Sequence, residues 1–295
     1  MASVWVAVVD VGANTVRMLV ASRAGAEDEE RVHVGLGEEI ERNGRLSEKS
    51  IERAADAATA RVRRARKLGC SRIEVLVTSP GRQSANGDEL ISALRRETGV
   101  PVRVLDAEEE GVLAWRGAVA AAGELPETVA VCDVGGGSAQ IAVGRREGRP
   151  AWVRSVDVGS LRLMRRAFRN DPPDAPDLAR AQQVTAELFG EIAPPLPLAG
   201  IAVGGTARAL RKVVGPELTQ ESLLIAVRRL SKRSSRRIAK DFDVDLARAS
   251  TMTAGALIFL EVQRRLGVPL QVGRGGLREG AALALLEDEA AAAVG

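Results

Sequence analysis

Two segments of the chain repeat one pattern of apolar, acidic and small residues. The segments 6–20 (VAVVDVGANTVRMLV) and 129–143 (VAVCDVGGGSAQIAV) are identical at seven of fifteen positions, 123 residues apart. In both, an apolar strand ends in an Asp, and a small-residue turn leads into a second strand. Chance similarity of buried hairpins would explain the valines, but not D-V-G followed by small and hydroxyl residues in both. We therefore predict two homologous halves.

The composition of these turns is suited to binding phosphate. Glycines bring backbone N–H groups close to an anion with no Cβ in the way, and hydroxyl and amide side chains add donors. Asp10 and Asp133 would repel a phosphate, so they imply a bridging cation, Mg²⁺ or Mn²⁺, or an oriented water. The phosphate-binding candidates in the two turns are Gly12, Asn14, Thr15, Gly135, Gly136, Gly137 and Ser138.

Three further segments offer groups for such a site. Arg82 follows an apolar strand within TSPGRQSAN (78–86), where a guanidinium with Thr, Ser and Asn neighbours suits a bidentate phosphate clamp. Of the three acids at 108–110, at most one would face a site, because helical neighbours point about 100° apart. The stretch 204–206 (GGT) precedes a helix and forms either a generic anion site or an ordinary tight turn.

Composition excludes several other kinds of chemistry. The 295 residues include one His and two Cys, which excludes His-rich metal centres, zinc ribbons and disulfide frameworks. Aromatic residues make up 2% of the chain, so platforms that stack nucleic-acid bases are excluded too. The net charge of +3 favours a solvated surface, although a basic channel for a polyanion stays open. Without a long apolar run or a signal-peptide pattern, we expect a cytoplasmic protein that binds neither nucleic acid nor membrane.

Alternating strand and helix signals must position these groups. After the first hairpin we predict strands at 31–34, 73–78 and 102–105, and helices at 47–68, 86–98 and 106–122. After the second we predict strands at 151–158 and 270–272, a strand within 200–206 that ends in the Gly-Gly-Thr turn, and helices at 161–168, 177–192, 207–214, 217–230, 253–266 and beyond 280. The turn at 123–127 predicts domains 1–124 and 125–280, with the last helix, about 281–295, able to pack back on the first domain.

Seven motifs in order resemble the exopolyphosphatase / guanosine pentaphosphate phosphohydrolase (Ppx/GppA) family: DVGANTVRML, TSPGRQSAN, EEEG, DVGGGSAQ, VGSLRL, VGGTARAL and GLREG. The resemblance covers essentially the whole chain. It implies an α/β protein with two ribonuclease-H-like domains of the actin/hexokinase-like (ASKHA) superfold and a cleft between them. It also implies a homodimer that uses a divalent cation to remove the terminal phosphate of inorganic polyphosphate, or the 5′ γ-phosphate of the stringent-response nucleotide pppGpp.

Position by position, the resemblance assigns roles to individual residues. The water-activating glutamate of the family falls on Glu110, the last of the three acids, and the phosphate-clamping arginine falls on Arg82. Asp10 and Asp133 lie at the bases of the first two loops, where they would hold the metal through water or phosphate. Further phosphate-binding positions fall on Arg17, Gly205 and Thr206.

Two departures from the family pattern concern the site directly. The family usually has Glu where this chain has Gln140, and Ser where it has Ala13. A neutral amide orients water or phosphate but cannot act as a base. The expected catalytic set is Glu110, Asp133 and Gln140. A low-activity polyphosphate or nucleotide sensor and a kinase of the same superfold stay open, and polyphosphate is preferred to pppGpp because the sequence offers no evident guanine pocket.

Overall fold

Each half of the chain is built on a mixed sheet that begins with one of the duplicated hairpins. The computed structural model describes residues 4–292, apart from the side chains of residues 27, 28 and 292. Two compact units divide the chain: one ends at Gly117 and resumes at Leu277, and the other spans Ala118–Gly276. The predicted domain boundary at 124/125 lies on the C-terminal side of this division. The division itself falls inside one continuous helix (α5, below), which runs across Gly117 and ends at Ala121.

The first unit has a five-stranded sheet in the order β3-β2-β1-β4-β5. Strand β1 is antiparallel to β2 and parallel to β4, and β4 is parallel to β5. Its elements are β1 (Val6–Val11), β2 (Thr15–Ser22), β3 (Gly25–His33), α1 (Leu36–Asn43), α2 (Glu48–Lys67), β4 (Arg72–Val77), α3 (Ser79–Gln83), α4 (Gly87–Thr98), β5 (Val102–Val104), α5 (Ala107–Ala121) and the returning helix α12 (Leu277–Ala292).

The second unit has a six-stranded sheet in the order β10-β11-β9-β6-β7-β8. Its elements are β6 (Thr128–Val134), β7 (Ala139–Arg145), β8 (Trp152–Val156), α6 (Ser160–Ala167), α7 (Ala175–Leu188), β9 (Ala199–Val203), α8 (Gly204–Val214), β10 (Glu217–Leu218), α9 (Gln220–Leu230), α10 (Ser235–Asp241), α11 (Leu246–Leu266) and β11 (Leu270–Val272). Leaving aside the short edge strand β10, each sheet consists of an antiparallel three-stranded meander followed by two parallel strands. This is the ribonuclease-H-like order that the resemblance implies.

Burial on both faces explains the apolar sequence of β1. Ala7, Val9 and Val11 belong to a core that α2 and α4 cover, while Val6 and Val8 pack in a second core on the opposite face. Successive side chains of a strand point to opposite faces, so a central strand that is covered on both sides is apolar throughout. The second core is closed by residues of α12, namely Ala281, Ala282, Leu285 and Leu286.

Several helices differ from the sequence prediction for identifiable reasons. Residues 204–206, predicted as a turn between a strand and the helix at 207–214, form the first turn of α8. Residues 217–218, predicted as helix, form an edge strand on β11, and Thr219 caps the helix that follows. Helix α11 begins seven residues earlier than predicted, because Asp245 caps it and Ala249, Thr251 and Met252 of its early turns are buried. The sequence did not predict α1, α3 or α10.

No helix within residues 4–292 is both long enough and apolar enough to cross a lipid bilayer.

The crossing of α12 over α5 provides a test of the fold. A Cβ on Gly280 would lie 1.9 Å from the carbonyl oxygen of Leu113, which is backbone and cannot rotate away. We expect Gly280→Ala to lower the free energy of unfolding by about 1–3 kcal/mol, despite the better helix propensity of Ala. Urea denaturation measures the change. As a control, Gly123→Ala has open space around its Cβ and should stay within about 0.5 kcal/mol of the wild type.

Candidate active site

The two glycine turns have the same backbone geometry. The N–H of Gly12 donates to the carbonyl of Thr15 at 3.0 Å, and the N–H of Gly135 donates to the carbonyl of Ser138 at 3.0 Å. Gly12 and Gly135 are equivalent positions in the sequence repeat, and so are Thr15 and Ser138. The repeat therefore preserves a turn and not only a strand pattern.

A side-chain hydrogen bond is repeated in the same place. Arg17 donates from Nε to Oγ1 of Thr15 at 3.0 Å, and Gln140 donates from Nε2 to Oγ of Ser138 at 2.9 Å. Gln140 also donates to Oγ of Ser155 at 3.2 Å. Arg17 and Gln140 thus occupy equivalent positions, and each orients the hydroxyl of its own turn.

An acidic residue lies across the hairpin from each of these donors. Asp10 pairs with Arg17 in the register of β1 and β2, and Asp133 pairs with Gln140 in the register of β6 and β7. Each turn therefore begins beside a carboxylate and ends beside a hydrogen-bond donor.

The carbonyl oxygens of the first turn are bound by the segment that follows β3. The carbonyl of Ala13 accepts from the N–H of Gly37 at 2.6 Å. The carbonyl of Asn14 accepts from the N–H groups of Val34 and Gly35 at 2.8 and 3.1 Å. These bonds hold the negative ends of the peptide dipoles away from an anion bound in the turn.

The start of α6 binds the carbonyl oxygens of the second turn. The N–H of Ser160 donates to Gly135 at 2.9 Å, and those of Leu161 and Arg162 donate to Gly136 at 3.0 and 3.1 Å. Gly159 makes this approach possible, because a Cβ there would lie 2.3 Å from the carbonyl group of Gly136. The VGSLRL motif therefore shapes the second glycine turn, a role that the sequence alone did not reveal.

The third motif packs against the carboxylate at the end of β6. Gly204 has φ +85°, and a Cβ on it would lie 2.2 Å from Oδ1 of Asp133. Asp133 is therefore close to the N-terminus of α8, where the helix dipole favours a negative charge. Only glycine combines this φ with such a close approach.

Thr206 is fully buried and joins two elements of the second unit. Its hydroxyl donates to the carbonyl of Val134 at 2.7 Å and accepts from Nη1 of Arg248 at 3.2 Å. Phosphate binding by Gly205 and Thr206 stays a prediction, and the hydroxyl of Thr206 already braces α8 against the end of β6. No sequence pattern pointed to Arg248, which lies in the part of α11 that was not predicted to be helical.

One acid of the triple-acid run is buried beside the predicted phosphate clamp. The Glu110 carboxylate pairs with the Arg82 guanidinium, with 2.5 Å between Oε2 and Nη2, and Glu110 is only 5% exposed. Arg82 also donates to the carbonyl of Leu105. α3 and α5 thus place the guanidinium and the carboxylate together, and their roles as a phosphate clamp and a base stay predictions.

The two preceding acids have local structural roles or are solvated. Glu109 accepts from the N–H of Asp106 at 2.9 Å, and Asp106 accepts from the N–H of Glu109 at 2.8 Å, which is the predicted capping box. Glu109 also pairs with Arg103, and Glu108 is exposed.

Asn86 was grouped with Arg82 as part of a phosphate clamp, and the structure gives it another role. Its side-chain oxygen accepts from the N–H of Leu46 at 2.9 Å, and its amide nitrogen donates to the carbonyl of Leu46 at 3.0 Å. The buried amide fixes the turn before α2, so we correct its assignment to a structural one.

The carboxylates in the described range do not form a complete metal cage. Among residues 4–292, no group of three or more His, Cys, Asp or Glu side chains is arranged to hold a metal ion. Mg²⁺ is often held by one or two carboxylates together with waters and substrate phosphates. Asp10 and Asp133 each offer one carboxylate beside a glycine turn, which is the kind of ligand that such an indirectly held cation uses.

Cysteine chemistry is disfavoured by the surroundings of Cys132. This thiol is fully buried, and burial together with the charge of the neighbouring Asp133 raises its pKa well above the usual range. A protonated thiol is a poor nucleophile. Cys132 is therefore not a candidate nucleophile.

Comparisons with known proteins agree with this geometry. A model of the Ppx/GppA phosphatase family matches residues 21–289. Exopolyphosphatase 1 of Mycobacterium tuberculosis is 27% identical over 96% of this chain and 88% of its own length, and exopolyphosphatase 2 of that organism is 25% identical over 90% and 92%.

Solved structures show the same fold. The Ppx/GppA family member of Aquifex aeolicus has a TM-score of 0.80 at 26% identity and covers 97% of this chain and 99% of its own. An exopolyphosphatase of Cytophaga hutchinsonii has a TM-score of 0.84 at 21% identity, over 96% and 98%. The fold is that of two ribonuclease-H-like domains of the ASKHA superfold.

The contact of Gly159 with the second turn can be tested directly. Because a methyl group at Gly159 would overlap Gly136, we expect Gly159→Ala to displace residues 135–138 and to raise their amide hydrogen exchange. Mass spectrometry of exchanged peptides measures the effect. Gly12→Ala is the control, because its Cβ meets nothing closer than 3.6 Å. Equal exchange at residues 135–138 in Gly159→Ala and wild type would show that the turn does not depend on this approach.

Proposed function

Because the chain belongs to the Ppx/GppA phosphatase family, we propose that it is an exopolyphosphatase that hydrolyses the terminal phosphoanhydride of inorganic polyphosphate and releases orthophosphate. The observation that carries the proposal is the buried Glu110 held by Arg82 at 2.5 Å. A carboxylate for water and a guanidinium for phosphate, in a chain with glycine turns of phosphate-binding type, are the groups that this reaction needs. The likeness to the two M. tuberculosis exopolyphosphatases supports the choice of substrate.

In the proposed reaction, a water held by Glu110 attacks the terminal phosphorus in line with the bridging oxygen. The bond from phosphorus to the bridging oxygen breaks, the water proton passes to Glu110, and the products are orthophosphate and a chain shorter by one unit. Phosphoryl transfer depends on positioning and charge neutralisation more than on covalent catalysis. A divalent cation, when bound, would neutralise phosphate charge, with Asp10 and Asp133 holding it through water or phosphate.

The contacts of the turns indicate how the substrate oxygens are held. The hydroxyls of Thr15 and Ser138 are each oriented by a donor, Arg17 or Gln140. A hydroxyl that accepts such a bond can direct its own proton to a phosphate oxygen. Arg82 forms charge-assisted bonds that suit phosphate as well as carboxylate.

The amide at Gln140 favours a second candidate function, a sensor that binds polyphosphate or a nucleotide with little turnover. A Glu at this position would place a second carboxylate opposite Asp133, whereas Gln supplies only hydrogen bonds. pppGpp stays the second candidate substrate of the hydrolase, because the family also includes guanosine pentaphosphate phosphohydrolases.

The role of Glu110 is tested by Glu110→Gln. General-base catalysis typically contributes about 10²–10⁴-fold, so we expect kcat for phosphate release from polyphosphate to fall by roughly that factor. Phosphate release from long and short polyphosphate, pppGpp and ATP, with and without Mg²⁺, is the assay and also ranks the substrates. Glu109→Gln is the matched control and should retain near wild-type kcat. Unchanged turnover in Glu110→Gln would contradict the assignment.

Gln140→Glu separates a hydrolase from a sensor. If the proposal is correct, the wild type releases phosphate from polyphosphate and does not require a carboxylate at residue 140. Binding of polyphosphate without turnover in the wild type, followed by turnover in Gln140→Glu, would establish the sensor instead. Calorimetric binding and phosphate release on both proteins give the answer.

A further inference from the structure

A second hydroxyl shares the amide that orients the hydroxyl of Ser138. The Nε2 atom of Gln140 donates to Oγ of Ser138 at 2.9 Å and to Oγ of Ser155 at 3.2 Å. A primary amide nitrogen carries two hydrogens, and here each of them is bound by one hydroxyl oxygen. Gln140 and Ser138 are each only 6% exposed, so the amide is shielded from water. Gln140 therefore orients two hydroxyls at once.

The register of the second sheet places these groups in one row. Asp133 on β6 lies opposite Gln140 on β7, and Gln140 lies opposite Ser155 on β8. Residues opposite each other in antiparallel strands point to the same face of the sheet. The neighbouring Cys132 points to the other face, where it belongs to the main core of this unit. Ser155 thus shares a face with Asp133 and extends the candidate site from the glycine turn onto β8.

The protons of these two hydroxyls are not used by the part of the protein that the structure describes. Within residues 4–292, neither Ser138 nor Ser155 donates a hydrogen bond from its hydroxyl, although each accepts one from Gln140. A serine hydroxyl is both a donor and an acceptor, so each keeps one proton for another partner. Ser155 is half-buried, and its hydroxyl is therefore accessible to a ligand.

The spacing of the two hydroxyls suits a phosphoryl group. Because both oxygens contact one trigonal nitrogen, they lie about 5 Å apart. Two oxygens of one phosphoryl group can span that gap, with an O–H···O hydrogen bond of about 2.7 Å at each end. The pair therefore offers two oriented neutral donors to a single anionic group.

The direction of these hydrogen bonds depends on the amide at residue 140. An ionised carboxylate there could only accept, so both hydroxyls would donate to it and their protons would not be available to a ligand. The amide nitrogen of Gln140 reverses both bonds. The Gln of this chain therefore replaces a base by two oriented hydroxyl donors.

The geometry points to Ser155 as a further phosphate-binding residue, which Gln140 aligns together with Ser138. The two hydroxyls bind oxygens of one phosphoryl group of the substrate. Gln140 acts as a positioning residue that determines how tightly this group is held. The inference rests on the proposed function and deepens it, because it names contacts by which a phosphoanhydride chain is bound.

The test is a double-mutant cycle on residues 140 and 155. Ser155→Ala, Gln140→Glu and the double variant are compared with the wild type in the binding of tripolyphosphate in EDTA, and in KM and kcat for its hydrolysis with Mg²⁺. Because a hydrogen bond to a charged oxygen is lost, we expect Ser155→Ala to weaken binding, or to raise KM, roughly tenfold, with a smaller change in kcat. In the Gln140→Glu background, where the hydroxyl donates to the carboxylate instead, Ser155→Ala should have little further effect.

Two more variants separate a ligand contact from a structural role. Ser155→Thr retains a hydroxyl and should recover part of the affinity that Ser155→Ala loses. Ser231→Ala removes the hydroxyl of a half-buried serine at the end of α9, outside the glycine turns, and should bind tripolyphosphate as the wild type does.

Each outcome bears on the inference. A loss of affinity in Ser155→Ala that disappears in the Gln140→Glu background supports it, provided that Ser231→Ala is unchanged. No loss in Ser155→Ala, or an equal loss in both backgrounds and in Ser155→Thr, would overturn it, while phosphate release by the wild type would keep the proposed function. Tripolyphosphate binding without turnover, with the expected loss in Ser155→Ala, would overturn the proposed function alone. A wild type that neither binds nor hydrolyses tripolyphosphate or longer chains would overturn both.

Discussion

The glycine turns keep their shape because their carbonyl oxygens are bound by backbone N–H groups that arrive from a distant part of the same unit. In the first unit these groups come from residues 34–37, directly after β3, and in the second from residues 160–162, soon after β8. A Val-Gly pair precedes or begins each arriving segment, at Val34-Gly35 and at Val158-Gly159. Both halves therefore share the three-stranded meander, and in each half the segment that follows its third strand binds the carbonyl oxygens of the turn.

The sequence was informative where local chemistry decides the structure. The two hairpins, the capping box at the start of α5, the Ser47 cap of α2 and the short strand β11 all follow from residue types and spacing. It was uninformative where burial decides the structure. The first turns of α11 contain Ser250 and Thr251, which have modest helix propensity, and they are helical because Ala249, Thr251 and Met252 are packed inside the second unit. Arg248 was missed for that reason.

For the candidate site, the residue types were predictable but their partners were not. The pairing of Arg82 with Glu110 joins residues 28 positions apart through α3 and α5, and nothing in the spacing encodes it. The equivalence of Arg17 and Gln140 is visible in the repeat only once the hydrogen bonds to Thr15 and Ser138 are known. This equivalence also gives Gln140 a second interpretation. In the first unit the equivalent residue is Arg17, so what the two hairpins share at this position is a hydrogen-bond donor, charged in one and neutral in the other.

The packing of α12 has a consequence for the order in which the protein acquires its structure. One face of β1, with Val6 and Val8, is covered by residues that are synthesised about 270 positions later. The intervening residues, Ala118–Gly276, complete the second unit before those residues exist. Domains generally fold as units during synthesis, with the N-terminal one first. The first unit, although its N-terminal part is synthesised first, therefore completes its second core only after α12 has been synthesised. Until then, the face of its sheet that carries Val6 and Val8 lacks the cover of that helix.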